Sequence, residues 1–249
     1  MIENKHNCID DNKLSANIEK FGWSVMLLES TDYLPSFAYT IGLWENYKHP
    51  EIISFGLTTK TLQLILNDAG KIVKSGNKIE VKKSYTEFFE NGTTEFIKVD
   101  SRSISDYFGR AINFYHTNEF PAIQLVWADR NNNLPWDINY EKEFEWRQPL
   151  LDRNAEFKFK EEKNTGVFTT RQWLELNKPI LNVIHDNDGD WQFLTGDQMP
   201  EDIKLVALEQ LIIKDKTLND VFNLEYGEQA ERKYIGEYWK RTKYDEDEE

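Results

Sequence analysis

The sequence predicts an α+β fold: an N-terminal domain with a mixed or antiparallel sheet and two amphipathic helices, then a smaller α+β C-terminal domain. Three observations carry this. Short runs rich in β-branched and aromatic residues recur along the 249 residues. Helical segments interrupt them without a strict strand–helix–strand rhythm, which argues against a doubly wound sheet. Hydrophobic residues at 39%, with eight tryptophans and fifteen phenylalanines, supply enough apolar area for a packed core.

Taken in order, Lys13–Lys20 reads as a short helix leading to Gly22-Trp23, and Ser24–Leu28 as an apolar strand. Asp32–Pro35 is a turn. Phe37–Leu43 and Glu51–Leu57 are strands, joined through Gly42 and the polar stretch Asn46–Pro50. Thr58 or Thr59 caps a helix whose Leu62, Ile65, Leu66, Ala69, Ile72 and Val73 recur at three- and four-residue spacing, with Gly76 past its end. Ile79–Tyr85 and Glu95–Val99 are strands flanking the Asn91-Gly92 turn. Ser105–Tyr115 is a second helix, with Tyr107, Phe108, Ala111, Ile112 and Tyr115 as its apolar stripe. Ala122–Trp127, closed by Asp129–Asn133, is a buried strand.

After Pro135-Trp136 the chain turns charged. The first domain is set at residues 1–150, a linker at 151–166 and a second domain at 167–244. Within the latter, Pro179–His185 and Trp191–Thr195 are strands about the Asp188-Gly189 hairpin signal. Leu205–Ile213 is expected as a helix with Leu205, Leu208, Leu211 and Ile212 inward, and Leu218–Leu224 and Glu228–Tyr238 as short helices. Residues 245–249 form an acidic tail.

Charge narrows the function. Forty-four acids against thirty bases give a net charge of −14, a field that repels nucleic-acid phosphates and anionic membranes and attracts basic partners. Neither nucleic acid nor membrane is therefore expected as a partner. One cysteine, Cys8, excludes an internal disulfide and a cysteine-based zinc cluster. The polar N-terminus lacks a signal-peptide core and no long apolar run occurs, so a cytoplasmic location is expected.

Motifs for known chemistry are missing. No GxGxxG, GxxxxGK[ST], GxSxG or HExxH is present. His6 and Cys8 are only two potential ligands, which is too few for a metal site. The run His185-Asp186-Asn187-Asp188-Gly189-Asp190 misplaces the glycine of an EF-hand and reads as a tight turn. No cofactor or metal is expected. His49-Pro50-Glu51 could pair a histidine with a carboxylate as a general base, but a polar turn between two strands accounts for it more simply.

The stretch Phe37-Ala38-Tyr39-Thr40-Ile41-Gly42-Leu43, with Gly22-Trp23, His49-Pro50-Glu51, Phe55-Gly56-Leu57, Leu66-Asn67, Gln124-Leu125-Val126-Trp127, Asp129 and Pro135-Trp136, resembles a bacterial family known as domain of unknown function 4262. The resemblance covers roughly residues 20–140 and implies no activity. The segment Asp188-Gly189-Asp190-Trp191-Gln192-Phe193-Leu194-Thr195-Gly196-Asp197, followed by Val206-Ala207-Leu208 and Asp215, resembles a domain of immunity proteins from bacterial polymorphic toxin systems. There a Gly-Trp-x-Phe-x-x-Gly-Asp pattern precedes a helix; here Asp190 stands where that glycine would be.

Two functions follow as expectations. The favoured one is a non-enzymatic binding protein, an immunity or antitoxin-like inhibitor of a basic toxin. Its contacts would come from Asp186, Asp188, Asp190 and Asp197, with Trp44 and Trp136 as aromatic anchors. The alternative is an enzyme or small-molecule-binding domain with a pocket built from Tyr39, Thr40, His49, Glu51 and Trp127.

Overall fold

The computed structural model describes residues 11–244. They divide into two compact units. The first holds the residues up to Ser30 together with Pro35–Ala155, and the second holds Thr31–Leu34 together with the chain from Glu156 onward. Both are α+β, and each is built on a six-stranded mixed sheet.

The first unit runs α1 (Asp11–Phe21), β1 (Ser24–Leu28), β2 (Phe37–Ile41), α2 (Leu43–Tyr47), β3 (Glu51–Phe55), α3 (Thr59–Lys74), β4 (Ser84–Phe89), β5 (Gly92–Lys98), α4 (Ile104–Tyr107), α5 (Gly109–Tyr115) and β6 (Ala122–Trp127). The sheet order is β1-β2-β3-β6-β5-β4, antiparallel except where β3 meets β6. Every residue of β2, β3 and β6 is buried, so these central strands need cover on both faces. Alternation supplies it. Ala38 and Ile52 pack with Leu62, Ile65 and Leu66 of α3, while Phe37 and Phe55 meet Tyr107, and Tyr39 meets Phe108. Because successive strand residues face opposite sides, α3 and the α4–α5 segment lie on opposite faces.

Thr58 caps α3 by accepting the Thr61 N–H, and the expected apolar stripe is buried. Gly70 has a packing reason to lack a side chain: a Cβ there would fall 2.3 Å from the Trp23 indole. Trp23 is fixed in that slot by its Nε1–H, which donates to Asn67 at 3.2 Å. The helix expected over Ser105–Tyr115 is broken at Phe108, whose φ of −109° and ψ of 31° are not helical and whose ring is fully buried. The strand expected from Ile79 starts only at Ser84, after Lys82 takes a positive φ of 61°.

The second unit runs β7 (Gly166–Thr170), α6 (Arg171–Leu176), β8 (Asn182–His185), β9 (Trp191–Leu194), β10 (Ile203–Ala207), α7 (Leu208–Lys214), a 3-10 turn over Lys216–Val221, β11 (Glu228–Glu231) and β12 (Lys240–Lys243), in sheet order β10-β7-β9-β8-β11-β12. Two expectations change here. The helix expected from Leu205 begins at Leu208, because Ile203–Ala207 pairs with β7 as an outer strand, and Leu205 is 67% exposed rather than inward. The segment from Glu228 is strand, not helix: Glu228–Glu231 pairs with β8 on one side and β12 on the other. No helix among the described residues is long and apolar enough to cross a membrane. His6, Cys8 and the acidic stretch 245–249 lie outside the described residues.

Candidate functional site

Glu51 opens β3 and is fully buried. Its Oε1 accepts the backbone N–H groups of Gly42 and Trp44, both at 3.0 Å, and the phenol of Tyr115. Its Oε2 meets the Thr40 hydroxyl at 2.5 Å, and that hydroxyl oxygen also accepts the Ile52 N–H at 2.8 Å. A carboxylate offers about four lone-pair sites, two on each oxygen; three donors converge on Oε1 and one meets Oε2. Gly42 and Trp44 stand at the start of α2, where helical N–H groups lack intrahelical partners, so Glu51 serves as a cap supplied from another strand. Tyr115 on α5 closes the cluster, its ring edge-on to Trp44 at 4.9 Å. Burial pushes the Glu51 carboxyl above its ordinary range, opposed by the hydrogen bonds from Thr40, Trp44, Tyr115 and Gly42. Because Thr40 can accept as well as donate, a proton on Oε2 fits the same geometry.

The other residues of the predicted pocket are spent elsewhere. The His49 ring donates from Nδ1 to the Pro50 carbonyl at 2.7 Å rather than bonding Glu51, while its Nε2 is buried without a protein partner. Burial lowers its pKa, favouring the neutral ring. The Tyr39 hydroxyl accepts the Arg110 N–H at 3.1 Å, and burial pushes its pKa up to about 12. Trp127 sits five residues along β6 from Ala122, the residue paired with Glu51, hence about 16 Å up the sheet. Its indole donates to the Phe55 carbonyl at 2.8 Å and packs on Tyr140 and Phe144. Thr40 and Glu51 thus come together, and His49, Tyr39 and Trp127 do not join them in one constellation. A shallow, open depression lies beside α5, lined by Ser105, Ile112, Asn113, His116, Thr117 and Asn118; none of the predicted site residues lines it.

In the second unit the acidic turn is built on Asp186. Its buried Oδ1 accepts the N–H groups of Asp188 at 3.1 Å and Asp190 at 2.9 Å, and the Asp186 N–H donates to the Asp190 carbonyl at 3.1 Å. Asp186 therefore shapes the turn, while Asp188 and Asp190 project from it, both exposed. Gly189 at the apex has φ +92°, and a Cβ there would fall 3.2 Å from the Tyr226 ring. Tyr226, 40% exposed, flanks the carboxylates.

Beneath the turn lies an aromatic cluster. His185 stacks on Trp191 at 4.0 Å, with Tyr226 at 4.7 Å and Tyr33 at 5.0 Å. Its Nδ1–H donates to the Leu224 carbonyl at 2.7 Å. Burial lowers its pKa against the pull of Glu161, Asp186 and Glu225. Tyr33 arrives on Thr31–Leu34, held by its N–H to Glu225 at 3.0 Å and its hydroxyl to Glu161 at 2.6 Å.

Asp197 is exposed and paired with Lys178, which holds its carboxyl below the usual range. The two predicted anchors are half-buried. Trp44 rests on Tyr115 and Phe120, and Trp136 packs beside Ile97, Val126 and Leu134 with the Arg153 guanidinium 5.3 Å over its ring.

Sequence reasoning missed Tyr115 as the partner of Glu51, and Tyr33 and Tyr226 in the second unit. Tyr115 was visible as the last member of an apolar stripe, and a phenol at the end of such a stripe is the residue that can reach a buried carboxylate. Nothing local marked Tyr33, whose partners lie well over a hundred positions away. Among the described residues, no group of three or more His, Cys, Asp or Glu side chains is placed to hold a metal ion.

The first unit is thus a mixed-sheet α+β domain organised around a buried carboxylate that caps α2. A family model for a domain of unknown function (DUF4262) matches residues 17–141, about half of the chain, and the chain belongs to that family. No curated protein and no solved structure matches it.

Proposed function

We infer that this protein is a binding protein of the immunity or antitoxin type, which inhibits a basic protein toxin through an acidic, aromatic-containing surface. The observation that carries this reading is the β8–β9 turn. Asp186 is buried and spends its acceptors on the turn itself, so that Asp188 and Asp190 are held outward beside the partly exposed Tyr226. A preorganised pair of carboxylates next to an aromatic ring steers a basic partner and gives it something to bury. The net charge of −14 supports the same reading, as does the resemblance of residues 188–215 to immunity proteins. Asp197, engaged with Lys178, and the half-buried Trp44 and Trp136 are weaker contributors.

The test is co-expression with the protein encoded beside it. The wild-type chain is expected to co-purify with that neighbour and to relieve its toxicity. Replacing Asp188→Lys with Asp190→Lys is expected to slow association and weaken protection. No complex and no protection with the wild-type chain would overturn the reading.

A further inference from the structure

At the other end of the same sheet the chemistry inverts. The register places Glu228 opposite His185 and Glu231 opposite Asn182, so the acidic turn lies at one end of β11 and the β11–β12 connection at the other. Residues 233–241, at and beside that connection, hold three basic side chains, Lys233, Lys240 and Arg241, against one acidic, Glu237, while Lys243 pairs with Glu228 at the turn end. The whole chain carries −14. In the same stretch Tyr238 is 97% exposed, Tyr234 62% and Ile235 54%. Singly scattered apolar residues on a surface need no explanation, but three within five positions at one hairpin tip form a patch.

The tip stands on a rigid base. Arg232 is fully buried, pairs with Asp215 at 2.5 Å and donates from Nε to the Ile180 carbonyl at 3.0 Å. The Trp239 ring covers its guanidinium at 4.3 Å. The tip is also tied to itself: the Lys233 N–H donates to the Glu237 carboxylate, and the Glu237 N–H to the Tyr234 carbonyl at 3.2 Å. Little ordering remains to be done on binding, which favours affinity.

The ordinary reading of lysines on an outer strand is protection against edge-to-edge pairing. It explains Lys240 and Lys243 on β12, the outermost strand among the described residues. It does not explain Tyr234, Ile235 and Tyr238, because exposed aromatic surface beside an open edge undoes that protection.

We propose that the β11–β12 hairpin is a second docking element, which takes an extended acidic segment of a protein partner along the β12 edge. The backbone of β12 offers strand pairing, Lys233 and Lys240 meet the carboxylates, and the three exposed apolar side chains of the tip bury against the segment. A short peptide fits better than a nucleic acid, whose dense phosphate charge meets the repulsion of the whole acidic chain. This goes beyond the immunity reading, since it assigns a site of opposite charge and does not require the toxin to be its occupant.

Fluorescence anisotropy with the full-length protein tests it. The probes are a short labelled peptide alternating glutamate with valine, its lysine-for-glutamate counterpart, and a labelled oligothymidylate. Saturable binding of the glutamate peptide is expected, weakened by added salt. Tyr234→Ser with Tyr238→Ser, and separately Lys233→Glu with Lys240→Glu, are each expected to weaken it about tenfold or more. These side chains are exposed, so unfolding midpoints should match the wild type. No saturable binding, equal binding by the hairpin variants, or preference for the lysine peptide or the oligothymidylate would each overturn the proposal.

Discussion

Glu51 in the first unit and Asp186 in the second are both buried carboxylates that accept backbone N–H groups at a turn. The same device has opposite results. Glu51 gathers the N–H groups of Gly42 and Trp44, whose side chains are absent or turned toward Tyr115 and Phe120, and with Thr40 and Tyr115 it closes a knot inside the protein. Asp186 gathers the N–H groups of Asp188 and Asp190, whose own carboxylates then stand in water. What the cap does for function is decided by which residues are capped. One arrangement spends its polarity on the fold; the other uses one carboxylate to display two more.

The comparison breaks most visibly at Glu51. Glu51→Ala takes the acceptor from the Thr40 and Tyr115 hydroxyls and the Trp44 N–H, leaving the Gly42 N–H only the Tyr115 oxygen at 2.8 Å, and should cost about 3–5 kcal/mol in urea unfolding. Glu51→Gln should cost about 1 kcal/mol or less, because the amide oxygen can take the place of Oε1 and the amide nitrogen can donate to Thr40. A loss from Glu51→Gln as large as from Glu51→Ala would mean that the ionised carboxylate is indispensable.

Protonation sharpens the same point. The folded carboxyl titrates above its ordinary value, so the unfolded chain releases its proton first as pH rises. In the window that starts at the ordinary glutamate value of about 4.3 the folded state holds more protons, and stability falls with rising pH. The stability difference between wild type and Glu51→Gln should therefore move toward the wild type on acidification through that window. A difference that moves toward Glu51→Gln on acidification would reverse the sign assigned here.

Gly70→Ala comes next. Its Cβ would collide with the rigid Trp23 ring, and overpacking of this kind costs about 1–3 kcal/mol. Asp186→Ala should cost less, about 1–2 kcal/mol, by releasing the Asp188 and Asp190 N–H groups from the turn. It should also weaken partner binding although Asp188 and Asp190 are intact. The smallest effect is expected for Asp188→Lys with Asp190→Lys, whose unfolding midpoint should not shift measurably while binding falls.

The fold was legible where pattern and burial agree. The α3 stripe, the apolar runs of β1, β2, β3 and β6, and the Asp188-Gly189 turn all follow from local spacing. Where a segment's state is set by its neighbours, local pattern misleads. Leu205 looked like part of a helical stripe, yet Ile203–Ala207 pairs along β7. Glu228–Glu231 is too polar to announce a strand and becomes one between β8 and β12.

The site was legible to the same degree. Glu51 and Asp186 stood out as residue types, but their difference lies in partners that only the fold supplies: Tyr115 for the one, and the flanking Tyr226 for the other. His49 drew notice by standing beside a carboxylate in sequence, and its ring turns instead to the Pro50 carbonyl.

The most direct measurement is the association rate of this protein with the product of the neighbouring gene, for wild type, Glu51→Gln and Asp188→Lys with Asp190→Lys. Wild-type association by Glu51→Gln is predicted, with a steep salt dependence in both, and at least about a tenfold slower, less salt-dependent rate for the charge-reversed turn. An unchanged rate for the charge-reversed turn, or a loss confined to Glu51→Gln, would contradict it and move the binding surface to the first unit.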